Sequence, residues 1–218
     1  MSLSITIHRQ SKAYKYLLLW EQYFQNNQSM LQQVIIEIKM LSGVKNFTVS
    51  KIPIYLIPDI NNKDKEIGAS FSWTPRKSFI DIEVPFGLKT PNGFFPVSIL
   101  AHEFFHLILR KNKNLFLEIK KITEKNEKLF AKLSGSMLHR MFLEELLVSS
   151  FIPEGYLSEK YLNTKSYTFT SRPKDLLSWR RLIAFKSREM AKNYINNIQQ
   201  IDKKYLEHIV DILKQNTK

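Results

Sequence analysis

Ile99-Leu100-Ala101-His102-Glu103-Phe104-Phe105-His106-Leu107-Ile108 is the stretch on which the reading of this chain turns. Two histidines four residues apart stack on one face of a helix, so both imidazoles can bind one metal ion. Glu103, beside the first of them, can reach a water on that ion. Zinc lowers the pKa of such a water to about 7, so a carboxylate can take its proton near neutral pH and later give it to a leaving group. With 5 histidines in 218 residues, a His-Glu-x-x-His pentapeptide arises by chance in about one such chain in a hundred. Its setting adds weight. Every other position from Ile99 to Ile108 is uncharged, and metal ligands need a dry, rigid helix to fix their geometry.

Outward from the motif, Pro96 sits where helices often start. The segment Val97–Arg110 is apolar around most of its circumference, which predicts a buried helix. Upstream, Ala69–Trp73 and Phe79–Val84 alternate apolar and polar residues as half-buried strands do, with Thr74-Pro75-Arg76-Lys77 as the turn between them. Ile52–Pro58 is a further β-like run closed by proline. Leu17, Trp20, Phe24, Leu31, Val34, Ile35 and Ile38 recur near the helical period and predict helix from Ser11 to Leu41, with Asn26-Asn27 as an interruption and Gly43 as a stop.

Downstream, Leu115–Leu133 reads as one amphipathic helix and Ser136–Ile152 as another, ended by Pro153 and Gly155. Tyr167–Thr170 reads as extended. Lys174–Lys214 reads as helix in two pieces parted near Asn193–Asn197. These patterns divide the chain into an N-terminal helical segment (1–45), a core (46–155) and a C-terminal helical segment (156–218), expected to form one compact unit. The expected class is α+β, with a small mixed or antiparallel sheet packed on the motif helix and several flanking helices.

The chain lacks cysteine, which excludes disulfides, thiolate metal sites and cysteine nucleophiles. Its net charge is +13. Residues 1–100 hold 11 Lys/Arg against 7 Asp/Glu, and residues 101–218 hold 22 against 13. A basic surface attracts acidic partners, nucleic acid among them, but these residues form no dense block and also suit a solvated face. The apolar run Tyr16–Trp20 is short and lacks a cleavage site, and no stretch approaches about 18 apolar residues. A cytoplasmic location without a membrane span is the expectation.

The segment around His102, Glu103 and His106 resembles the zincin metallopeptidases, whose signature tolerates only uncharged residues about the two histidines. The resemblance is specific over about ten residues and looser over 67–155, which follow the order strand, motif helix, glutamate helix. It implies a zinc-dependent peptidase that binds one Zn2+ and acts on a peptide or protein substrate, with Glu103 as the acid–base. Leu109 and Asn112 stand where the metzincin pattern requires Gly and His, so the gluzincin group fits better. In that group the third ligand is a glutamate on a second helix, and Met141-Phe142-Leu143-Glu144-Glu145-Leu146-Leu147-Val148-Ser149-Ser150 fits the part. Glu145 shares a face with Leu138, Met141, Phe142, Val148, Ser149 and Ile152, which reads as the buried side. Glu144 lies nearer the edge, beside Arg140, and is the alternative ligand. Where gluzincins often carry a further carboxylate, this chain has Ser149.

The Pro-containing stretch Phe151–Gly155 after the glutamate helix is also loosely similar to the ImmA/IrrE-like regulatory peptidases. Zincins pair substrate with an exposed edge strand, so Gly68–Trp73, and Ala69, Ser70 and Phe71 within it, are the substrate-binding candidates. Tyr156 leads the candidates for oxyanion stabilisation, ahead of His139, Tyr167 and Arg172. His8 and His208 read as surface residues. Two competing functions remain: a basic, nucleic-acid-associated or regulatory protein with a structural or inactive zinc site, and a zinc-site protein whose cleft is covered by the flanking helices.

Overall fold

A computed structural model describes residues 3–7, 14–59, 67–74, 77–85, 95–162 and 172–217. Four strands, β1 (Ser4–Ile7), β2 (Pro53–Asp59), β3 (Gly68–Trp73) and β4 (Ser78–Pro85), form a mixed sheet in the order β1-β2-β4-β3. β1 runs parallel to β2, β2 runs parallel to β4, and β3 returns antiparallel to β4, placing Phe71 opposite Ile80 and Ala69 opposite Ile82. The turn from β3 to β4 is tied by Thr74 N–H donating to the Lys77 carbonyl at 2.8 Å. Ile54, Leu56, Ile80, Ile82 and Val84 are buried at alternate positions, the pattern of a sheet with one face on the core. β1 was not expected. It is four residues long and reaches its partner from about fifty residues away.

The helices are α1 (Tyr14–Asn26), α2 (Gln28–Leu41), α3 (Phe95–Leu109), α4 (Lys113–Lys125), α5 (Glu127–Leu133), α6 (His139–Ser149), α7 (Tyr156–Leu162), α8 (Leu176–Asn196) and α9 (Lys203–Asn216). α1 and α2 part at Asn27, near the expected interruption. The stretch expected as one helix over 115–133 is two, α4 and α5. They meet at Asn126, whose side-chain amide donates back to the Ile122 carbonyl at 2.9 Å instead of extending the helix. α7 was not expected. Asn112, Asp175 and Asp202 cap α4, α8 and α9 by accepting from Leu115, Ser178 and Tyr205 backbone N–H groups. The extended reading of Tyr167–Thr170 lies outside the described residues.

α3 is buried along nearly its whole length and packs on β3, β4, α2, α6 and α7. One cluster of buried apolar side chains runs from Leu3 through Phe104 and Phe105 to Leu213. The α+β class and the mixed sheet agree with expectation. No helix of the described residues is long and apolar enough to cross a membrane.

Candidate metal centre

α3 holds the motif in a dry setting. His102, Glu103 and His106 keep 4%, 7% and 2% of their surface exposed. The two imidazoles meet with their Nε2 atoms 3.1 Å apart. Glu145 enters from α6, its Oε1 lying 3.1 Å from His106 Nε2 and its Oε2 lying 3.4 Å from His102 Nε2. Ligands held about 2.0–2.1 Å from a tetrahedral ion stand about 3.3 Å from one another. The three separations are close to that edge length, so His102, His106 and Glu145 form a group that can hold a metal ion.

The far sides of the rings decide where their lone pairs point. His102 Nδ1 lies 2.9 Å from the Ile152 carbonyl oxygen, which can only accept, so that nitrogen carries the hydrogen. His106 Nδ1 likewise donates to Glu144 at 2.7 Å. In the neutral form both Nε2 lone pairs therefore face the space shared with Glu145. Arg110, one turn after His106, grips Glu144 through Nε at 3.2 Å and Nη2 at 3.4 Å. Phe71 of β3 stacks on the His106 ring, centroids 5.0 Å apart and planes 12° apart, and Arg110 lies 4.5 Å above Phe71. His106 is thus fixed at its edge and across one face.

Charge follows from burial and pairing. Burial opposes a proton on His106, but the facing carboxylates of Glu145 and Glu144 outweigh it and push the imidazole up to about 10. Burial also works against charge on Glu144 and Glu145, yet their contacts with the histidines hold both carboxyls below the usual range. For Glu103 burial wins. Its carboxyl is raised although His102, His106 and Arg180 pull it down.

The turn after α6 is built for close approach. A Cβ at Gly155 would lie 2.0 Å from the Ser150 carbonyl oxygen, so only glycine fits there. This turn delivers the Ile152 carbonyl to His102 and contains the cis peptide Ile152-Pro153. Glu154 in the same turn is buried and paired with Arg180 of α8, whose Nη2 lies 3.0 Å from Oε1 and 3.2 Å from Oε2.

Of the two adjacent acids, Glu145 joins both Nε2 atoms and Glu144 takes the outer face of His106. The expected burial is reversed. Glu144 keeps 2% of its side-chain surface and Glu145 keeps 22%. The partner of Glu144 is Arg110, while Arg140 lies over the Phe116 ring. α6 is packed by α3, α4 and α8 together, so it has no single buried side. Ser149 is fully buried with its hydroxyl unpaired, and so does not replace the further carboxylate.

Tyr156 stands at the start of α7 with the Arg188 guanidinium 5.7 Å from its ring. His139 stacks on Phe130, and Arg172 donates to the Thr217 carbonyl. Tyr167 and His8 fall outside the described residues. His208 is half-buried on α9 against Tyr205, not on the open surface. Ala69, Ser70 and Phe71 lie on β3, which pairs only with β4 among the described residues and is therefore a sheet edge. The sequence reading missed the Ile152 carbonyl, the Glu144–Arg110 pair and the Glu154–Arg180 pair. Only Arg110 carried a local signal, through its four-residue spacing from His106. Comparisons with protein-family models, with curated proteins and with solved structures found no match to this chain.

Proposed function

We propose that this chain is a zinc-dependent metallohydrolase, with peptide bonds as its expected substrate. One observation carries the reading: two imidazole Nε2 atoms and the Glu145 carboxylate face one another while each Nδ1 is committed to an acceptor. Two imidazoles and a carboxylate suit zinc, and three protein ligands leave a position open for chemistry. His102, His106 and Glu145 would hold the ion. When bound, it supplies Lewis acidity, polarising a carbonyl and acidifying water.

The chain's own residues supply the rest. Glu103 is adjacent to His102 on the same buried helix. It takes the proton of the attacking water and delivers it to the leaving amine. Glu144 and the Ile152 carbonyl keep both rings oriented. The free edge of β3 pairs with an extended peptide through main-chain hydrogen bonds at Ala69 and Ser70, while Phe71 walls the site beside His106.

Elemental mass spectrometry of the purified chain tests the centre. About one zinc per chain is expected, lost in His106→Ala. A chain that takes up no zinc even after reconstitution would end this reading. A peptide-library screen then tests hydrolysis, and Glu103→Gln is expected to keep the metal and lose activity. Full activity in that variant would remove Glu103 from its role.

A further inference from the structure

Two arginines bear on the candidate centre, Arg110 through Glu144 and Arg180 through its field at Glu103, and they are held differently. Arg110 is spent: it gives Nε and Nη2 to Glu144 and its plane to Phe71. Arg180 gives only Nη2, which reaches both oxygens of Glu154. Its Nε is buried with no hydrogen-bond partner. Its Nη1 makes no hydrogen bond among the described residues, and the side chain keeps 19% of its surface exposed. An unsatisfied buried donor costs about 1–3 kcal/mol, so donors left over on a charged group ask for an acceptor.

The position of Arg180 indicates which acceptor. Glu154 lies two residues after Ile152, whose carbonyl fixes His102. Arg180 is therefore clamped to the same short turn that orients a metal-ligand candidate. Its positive field also reaches Glu103. The Glu154 carboxylate balances the guanidinium, so the cation can wait in a largely dry place before substrate arrives.

We infer that Arg180 donates a hydrogen bond to the substrate oxygen that gains negative charge during hydrolysis. This rests on the proposed function. Water's oxygen bonds to the carbonyl carbon and its proton passes to Glu103. The carbonyl π pair moves onto oxygen, where Arg180 meets it. The pair returns as the C–N bond breaks, and the Glu103 proton leaves with the amine. A donor fixed in advance at the developing charge is worth far more than one that must reorganise. Arg180 here takes the role for which Tyr156 led the candidates in the sequence.

Inorganic phosphate, a tetrahedral anion, tests the inference without needing the natural substrate. The full chain is loaded with zinc, its metal content is measured, and phosphate is titrated by calorimetry. Arg180→Gln alone would strand Glu154, so it is combined with Glu154→Gln, with Arg180→Lys as a second variant that keeps a cation for Glu154. Unchanged zinc content and melting, with phosphate bound about 10–100-fold more weakly in the double variant and less weakly in Arg180→Lys, is the expected result. Equal phosphate affinity in all three proteins, or no phosphate binding to the zinc-loaded chain, overturns the role of Arg180 and leaves the metal centre standing. Failure of the unaltered chain to take up zinc removes both.

Discussion

Glu144 and Glu145 are neighbours in sequence and meet opposite sides of the same imidazole. Successive residues of a helix point about 100° apart, so one acid reaches the inner nitrogen of His106 and the other the outer. Their substitutions should separate. Glu144→Gln keeps a hydrogen-bond acceptor for Nδ1–H but loses the charge, and is expected to weaken zinc binding about 10–100-fold. Glu145→Gln removes the carboxylate that faces both Nε2 atoms and is expected to abolish stoichiometric binding. Competition with a chromophoric chelator measures both, and the reverse ranking would exchange the two roles. The motif residues were legible because their spacing alone places both histidines on one face. The burial of the two acids was not, because it depends on the five helices that pack around α6. Arg180 and the Ile152 carbonyl were invisible for a related reason. They lie 78 and 50 residues from His102, and only the fold brings the Ile152 carbonyl to His102 and Arg180 to Glu154 in the same turn.

At the scale of elements, the turn between α6 and α7 couples packing to the site. Gly155 presses against the Ser150 carbonyl, the Leu157 N–H donates to the Phe151 carbonyl at 2.9 Å, and the Ile152 carbonyl is left to face His102. Gly155→Ala forces a Cβ into backbone, which cannot swing aside as a side chain would. A loss of about 3 kcal/mol in unfolding free energy is expected, measured by chemical denaturation. Zinc affinity should fall with it, because the Ile152 carbonyl moves. An unchanged stability would mean that the turn is looser than its contacts indicate. The sequence announced this turn through Pro153 and Gly155, but not what it carries. Regular elements were read more fully, since β4 buries alternate apolar residues, β3 half-buries Ala69 and Phe71 between more polar positions, and α3 is apolar along nearly its whole length. β1 and α7, of four and seven residues, are too short for periodicity to show, and partners distant in sequence stabilise them.

For the whole molecule the open matter is whether the flanking helices are a removable cover over the site or part of the protein's core. α9 buries Leu206, Ile209, Val210, Ile212 and Leu213, and its Tyr205 stacks on Phe151 and shares a hydrogen bond with Ser150 in the turn beside the site. The Ile201 N–H ahead of α9 donates to the Leu41 carbonyl at the end of α2, so the C-terminal region is also tied to the N-terminal helices. Burying those five aliphatic side chains stabilises the fold by about 8–15 kcal/mol. That is comparable with the whole unfolding free energy of a typical domain, about 5–15 kcal/mol. Truncation after Ile198 should therefore abolish cooperative thermal unfolding and near-UV circular dichroism, not expose an active cleft. A truncated chain that melts cooperatively and hydrolyses peptides the full chain leaves intact would show that α9 acts as a cover. The contacts of Tyr205 argue the other way: removing α9 takes away a wall of the turn that holds His102, so metal binding should be lost together with the fold.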